Sequence, residues 1–171
     1  MCLSSQKRIA AGGNKGAGSR GGNYPAADAG CSKCNHCKVS CPVIQETTKF
    51  RSTNTQRIYN IKQKLDCDSP FVIYLATCRR CRGQYVGKSV TPFKRRHSNH
   101  KQEIKKQVGG LGQHFGGNRT CSYQDISFIL IEQVEMGNRN MLEKREVYWQ
   151  HQLRAFRENG GNGMCIRKEN K

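Results

Sequence analysis

The residues of this chain whose types and spacing can do chemistry are its ten cysteines, a pair of tyrosines at 74 and 85, an arginine–histidine pair at 96 and 100, and one glutamate, Glu146. Cys78 and Cys81 form a Cys-x-x-Cys pair. Cys31, Cys34, Cys37 and Cys41 crowd into eleven residues, and Cys67 closes that segment. Thiolates at this spacing suit tetrahedral zinc, which also accepts imidazole from distant histidines. Cys31, Cys34, Cys37 and Cys41 are candidate ligands of one ion, with His36 or Cys67 able to replace one of them. Cys2, Cys121 and Cys165 read as free thiols. Arg96 offers a planar fork that matches phosphate.

The elements that must position these groups follow from pattern. Phe71–Thr77 and Gln84–Lys88 read as two short strands around a tight turn. With Arg79 and Arg80 as the two central turn residues, Cys78 faces Cys81 and Tyr74 faces Tyr85, and all four side chains leave one sheet face. Periodicity alone equally allows a tyrosine pair that simply packs across a sheet. Thr91 or Ser89 is the expected cap of a helix running to about Lys106, with Pro92 in its first turn. Arg96 and His100 share one face of that helix. Gly109, Gly110 and Gly112 are expected to break it. Ile126–Val134 is a third strand. Gly137 and Asn138 separate it from a helix through about Phe156, and Gly160–Gly163 ends the folded part.

On that second helix Leu142, Glu146, Trp149 and Leu153 form a single stripe. A carboxylate there is costly unless it is paired or metal-bound. A partner arginine, or a place at the stripe's edge, would also satisfy it; Glu143 lies on the more polar face. These elements give an α+β fold, a small three-stranded antiparallel sheet flanked by helices, over residues 69–165. Residues 31–68 form a cysteine-rich extension in which Ile58–Ile61 is a strand candidate. Residues 1–30, rich in glycine and alanine, read as a disordered tail, and 166–171 as a second tail.

Lysine and arginine number 30 against 12 acids, a formal net charge of +18 over 171 residues. Such a charge calls for a polyanionic partner. The basic residues do not line an apolar helix face, which disfavours a membrane surface, and no run approaches a membrane span. The start of the chain lacks the apolar block of a secretory signal, so ten cysteines point to metal in a reducing compartment rather than to a disulfide scaffold. Between Cys78 and Lys106 ten Lys/Arg accompany a single acid, Glu103. Some of these cations belong to an ordinary solvated helix face.

Taken together, the motifs resemble the GIY-YIG nucleases. Val72-Ile73-Tyr74, then Tyr85-Val86-Gly87 ten residues on, is similar to the signature. Phe93-x-x-Arg96-x-x-x-His100 resembles that family's arginine helix, Glu146-x-x-Trp149 its glutamate helix, and Gly161-Asn162 its terminal asparagine motif. The nearest likeness is to the endonuclease domain of Penelope-like retroelements, over about residues 31–165. Val72 stands where the signature has glycine, and Gly161 where such elements usually have leucine. The resemblance implies a GIY-YIG-like fold and a zinc site of Cys78, Cys81, His100 and His114. His97 is an alternative to His100, and a third arrangement frees His100 for catalysis and gives zinc another ligand.

The resemblance further implies magnesium (or manganese) at Glu146 and hydrolysis of a DNA phosphodiester. Arg96 would clamp the phosphate. Tyr74 or Tyr85 would act as general base, its phenolate favoured by surrounding cations, and Asn162 would support the site. The implied partners are DNA and, for a domain detached from its element, a reverse transcriptase of the same element, in the nucleus because the substrate is there. The rival readings are a zinc-dependent nucleic-acid-binding protein without catalysis, and an interaction module whose basic tails aid solubility.

Overall fold

The computed structural model describes residues 28–117 and 120–156. The tail proposed for residues 1–30 is therefore described only from 28 onward, and the tail at 166–171, the glycines at 160–163, Asn162, Cys2 and Cys165 lie outside the described residues.

The chain is α+β. It opens with four short strands, β1 (Gly30–Cys31), β2 (Lys49–Arg51), β3 (Ile58–Asn60) and β4 (Lys64–Leu65). β1 pairs in parallel with β4, and β2 pairs antiparallel with β3. The main sheet follows. β5 (Val72–Cys78) runs between β6 (Gln84–Ser89) and β7 (Ile126–Gln133), antiparallel to both, so β6 is an edge. Three helices complete the fold: α1 (Phe93–Lys105), α2 (Gly109–Gly117) and α3 (Arg139–Leu153). The expected three-stranded sheet and the two long helices are present.

β5 is buried along nearly its whole length, as its run of Val, Ile, Tyr and Leu demands of a central strand. On one face Tyr74 packs with Phe93 of α1 and Phe128 of β7. On the other, α3 brings Trp149 edge-on to Phe50 and Tyr59 of the β2–β3 hairpin. The cysteine-rich extension is not a separate bead, because Ile44, Phe50, Ile61 and Leu65 belong to the same buried cluster as the main sheet.

Three local expectations are corrected. The hairpin turn is longer than two residues: the Cys78 amide donates to the Gly83 carbonyl and the Arg82 amide to the Cys78 carbonyl. Tyr74 therefore faces Gly87, and Tyr85 faces Ala76. The register moved by two, which preserves side-chain parity, so the tyrosines still share a face as a diagonal pair with ring centroids 6.5 Å apart.

The N-cap of α1 is Pro92, with no side-chain cap from Thr91 or Ser89. Carbonyls from the extension take that place, Ser69 O accepting the Phe93 amide and Cys67 O the Lys94 amide. α1 ends at Lys105, close to the expected Lys106, but the glycines after it open a further helix, α2, rather than only interrupting the chain. A Cβ on Gly112 would lie 2.5 Å from the Glu103 carbonyl oxygen, and one on Gly116 would lie 2.2 Å from that of Ile104. These glycines let the α2 backbone lie directly on α1. Asn138 caps α3 by accepting the Met141 amide, and α3 ends at Leu153, with Arg154 in the left-handed region.

Candidate functional site

Tyr74 lies at the centre of the site. Its ring crosses Gly87 on the edge strand so closely that a Cβ there would sit 2.4 Å from the phenol oxygen. The glycine of the Tyr-Val-Gly motif is thus a steric requirement of the tyrosine opposite it. The Tyr74 hydroxyl meets His100 Nε2 at 2.6 Å, while His100 Nδ1 meets Glu103 Oε2 at 2.7 Å. Burial, reinforced by the Arg96 charge, depresses the His100 pKa to about 4, so the ring is neutral. An ionised carboxylate only accepts, which places the ring proton on Nδ1. Nε2 then accepts the Tyr74 O–H. The result is a carboxylate–imidazole–hydroxyl chain, the arrangement in which an oriented imidazole can take a proton from a hydroxyl.

Arg96 joins this chain from one helical turn away. Its Nε donates to the Tyr74 oxygen at 3.4 Å and its Nη1 to Glu103 Oε1 at 2.9 Å. It also interacts with Tyr85. Burial works against a charged Glu103, but His100 and Arg96 outweigh it and hold the carboxyl below its ordinary range. The expectation that nearby cations would favour a phenolate is reversed. Burial raises the pKa of both tyrosines, and the Arg96 charge offsets only part of it. Tyr74 is fully buried, whereas Tyr85 is half-buried and reaches solvent.

Glu146 sits on α3 with its side chain 13% exposed, and Lys88 of β6 places Nζ 2.9 Å from its Oε2. The partner expected for this buried acid exists, and it is a lysine rather than an arginine. Lys88 faces Ile73, so it leaves the sheet on the side opposite Tyr74. Glu146 thus approaches from the α3 side of edge strand β6, and its charge still reaches both phenols, contributing to the rise in their pKa. Tyr74, Tyr85 and Arg96 are brought together; Glu146 faces them electrostatically across the edge.

Two clusters of sulfur and nitrogen atoms could hold zinc, each with its ligand atoms within 4.8 Å of one another. The first is Cys34, Cys37, Cys41 and Cys67. Its Sγ–Sγ separations of 3.5, 3.4 and 3.7 Å are close to the roughly 3.8 Å edge that zinc–sulfur bonds of about 2.3 Å give a tetrahedron. Cys31 is corrected out of this set. Its thiol accepts the Leu130 amide at 3.3 Å deep in the core, and burial pushes its pKa up to about 11. Cys67, 26 residues beyond Cys41, replaces it.

The second cluster is Cys78, Cys81, His114 and Cys121. Cys81 Sγ lies 3.5 Å from His114 Nε2, and the Gly83 amide points at Cys81 Sγ from 3.4 Å. His100 is corrected out of this site, being engaged with Tyr74 and Glu103. His97 is out as well: its Nδ1 meets Ser40 Oγ and its Nε2 meets Tyr123. Cys121, expected to be a free thiol, is the fourth member. Cys121 thus stands where His100 was expected in the cluster.

Sequence reasoning passed over Glu103, Lys88 and Cys121. Glu103 carried a signal, as it is three residues past His100 and seven past Arg96 on one helix face. Lys88 and Cys121 carried none, since each meets its partners only through the sheet and the α2 loop. No family model matches the sequence, no curated protein matches it, and no solved structure matches its fold. What the structure itself defines is an α+β chain with two four-ligand clusters able to bind zinc and a Tyr–His–Glu chain, buried at Tyr74 and His100 and partly exposed at Glu103, beside an arginine.

Proposed function

We propose that this chain is a metal-dependent DNA endonuclease that hydrolyses phosphodiester bonds and nicks target DNA as GIY-YIG-type retroelement enzymes do. The observation that carries the reading is the convergence of Tyr74, Tyr85, Arg96 and His100 at one sheet edge, with the Glu146 charge coupled to both phenols. Arg96, already bonded to the site's tyrosine, offers its remaining donors to a phosphate. Tyr85 is the phenol placed to meet an attacking water, because Tyr74 is buried. Tyr74 and Glu103 fix Arg96 in place, and His100 Nε2, which already accepts the Tyr74 O–H, can take that proton when the Tyr74 oxygen gains one from the reacting side.

Glu146 is the residue that would hold magnesium, a hard cation that keeps several waters and can take a single carboxylate. The donor chemistry fits, provided Lys88 shifts from Oε2. When bound there, the ion supplies charge stabilisation for the scissile phosphate and the leaving oxygen. For Asn162 the resemblance alone implies a supporting role by hydrogen bonding. A nuclear location and a reverse transcriptase partner follow from the resemblance and the substrate.

Plasmid nicking by the zinc-loaded protein tests this, with magnesium omitted and restored; a chelator is avoided because it would also strip zinc. Glu146→Ala should abolish nicking and leave DNA binding within about twofold, whereas Arg96→Ala should weaken both. Nicking at the full rate by Glu146→Ala removes the assignment. The Lys88–Glu146 ion pair, which satisfies the acid without metal, favours a second reading as a non-catalytic zinc-dependent nucleic-acid binder. Binding without nicking in the same assay selects it.

A further inference from the structure

On the sheet face opposite the tyrosines lies a cleft of about 500 Å³ between the main sheet and the β2–β3 hairpin. Strand alternation fixes its side: Leu75, Thr77 and Ile129 line it, while Tyr74, Ala76 and Phe128 point the other way. Four cations line the cleft, Lys49 and Arg51 from β2 and Arg79 and Arg82 from the hairpin turn, and no carboxylate does. Arg79 donates to the Gln124 carbonyl. None of the four forms an ion pair among the described residues, and what sets the cleft apart is that all four share one concave lining with no carboxylate.

Gathering like charges around a concave surface costs stability, and low-dielectric walls focus the resulting field on whatever enters. The floor adds the Thr77 hydroxyl, which accepts from Gln84 Nε2 and keeps its own proton for an anionic oxygen, while the Ser127 hydroxyl already donates to the Thr77 carbonyl. A neighbouring cavity beside Trp149 serves as contrast. It holds two cations, Lys62 and Arg145, but its lining also carries a carboxylate, Glu132, which pairs with Arg145.

We infer that this cleft is a second binding site, on the sheet face opposite the tyrosine site, for the sugar–phosphate backbone of a nucleic acid. The turn residues that place Arg79 and Arg82 are those that fold around Cys78 and Cys81, so the second metal cluster shapes this cleft as well as the hairpin. The four cations meet phosphates, and the exposed Ile58 of the lining offers apolar surface to a sugar, with Phe50, Leu75 and Ile129 buried behind it. This rests on nucleic acid being the partner and is independent of catalysis.

The test uses the full zinc-loaded chain without magnesium, so that cleavage cannot intervene, and a fluorescent 30-base-pair duplex titrated at several salt concentrations. Lys49→Gln, Arg51→Gln and Arg82→Gln combined are compared with an equal loss of charge elsewhere, Lys62→Gln, Lys105→Gln and Arg139→Gln. All six side chains are exposed, and thermal melting checks both folds. At about 0.9 of slope per phosphate contact, the cleft variant should lower the salt slope by about 2–3 and the affinity at least tenfold, and the control should lower the slope by less than 1. Equal losses in the two variants overturn the site. Competition by inorganic phosphate at constant ionic strength that displaces the duplex from the wild type alone identifies a free-phosphate pocket and overturns the backbone assignment. Nicking by the wild type is scored separately. A cleft effect without nicking sinks the nuclease reading alone, and nicking with equal slopes sinks the cleft alone.

Discussion

At the scale of single residues, the buried histidines decide how the site responds to acid. Burial depresses both His97 and His100 to about 4; the neighbouring His100 assists at His97, and Arg96 at His100. Unfolded imidazole titrates near 6.5, so between these values the unfolded chain binds more protons than the folded one. Stability is therefore full above about 6.5 and falls as pH drops towards 4. Denaturant unfolding at stepped pH, with zinc content followed in parallel, should show that fall. His100→Phe, which keeps a ring against Phe128, should make it shallower; an unchanged slope would mean that the ring is not buried neutral. Glu103 acts through His100 by holding its proton on Nδ1, a role readable in the sequence from helical spacing alone. The long-range partner of Glu146 was not readable, because Lys88 reaches it only when α3 docks beside β6.

At the scale of elements, the α1–α2 contact is built from missing side chains. Gly112→Ala must push its new methyl into the Glu103 carbonyl, and Gly116→Ala into that of Ile104. Overpacking of this kind costs about 1–3 kcal/mol, so either change should lower the melting temperature by several degrees. Gly117→Ala, with nothing nearer than Gln107 Oε1 at 4.0 Å, should lack that clash penalty and serves as the control. Glycines at 109, 110 and 112 looked like a helix break because glycine weakens isolated helices; α1 does stop before Gly109, which has φ +72°, while Gly112 serves a second helix because its docked neighbour leaves no room for a side chain. The hairpin shows a different failure. A Cys-x-x-Cys is compatible with a two-residue turn, yet the chain needs the longer loop to turn the Cys81 thiol back beside Cys78 and His114. Side-chain parity survived the shift, so the shared face of Tyr74 and Tyr85 was legible even though their register was not.

At the scale of the molecule, two clusters able to hold a metal ion bracket α1. Cys67 precedes it and binds its first turn through a carbonyl, and His114 follows it on α2. The helix that carries Arg96, His100 and Glu103 is thus anchored at both ends. Elemental analysis should find two zinc ions per chain. Cys121→Ser and Cys67→Ser should each reduce this to one, while Cys31→Ser and His100→Phe should retain two. Loss of zinc on His100→Phe with none lost on Cys121→Ser would restore the ligand set expected from the resemblance. No helix among the described residues is long and apolar enough to cross a membrane. The two basic surfaces, the arginine beside the tyrosines and the cleft behind them, lie on opposite faces of one small sheet.

Local quantities were legible along the chain: strand and helix periods, the shared face of two phenols, the helical neighbourhood of Arg96 and His100, and an excess of positive charge. Each depends on residues a few positions apart, where chain geometry leaves little choice. Only the tertiary structure decided which distant groups meet, namely Cys67 with Cys41, Cys121 with Cys78, Lys88 with Glu146, and the β2 cations with those of the hairpin turn. The physical reason is that these contacts depend on how the sheet, helices and extension share one core. A ligand atom is selected by where packing leaves it, and spacing along the chain does not record that.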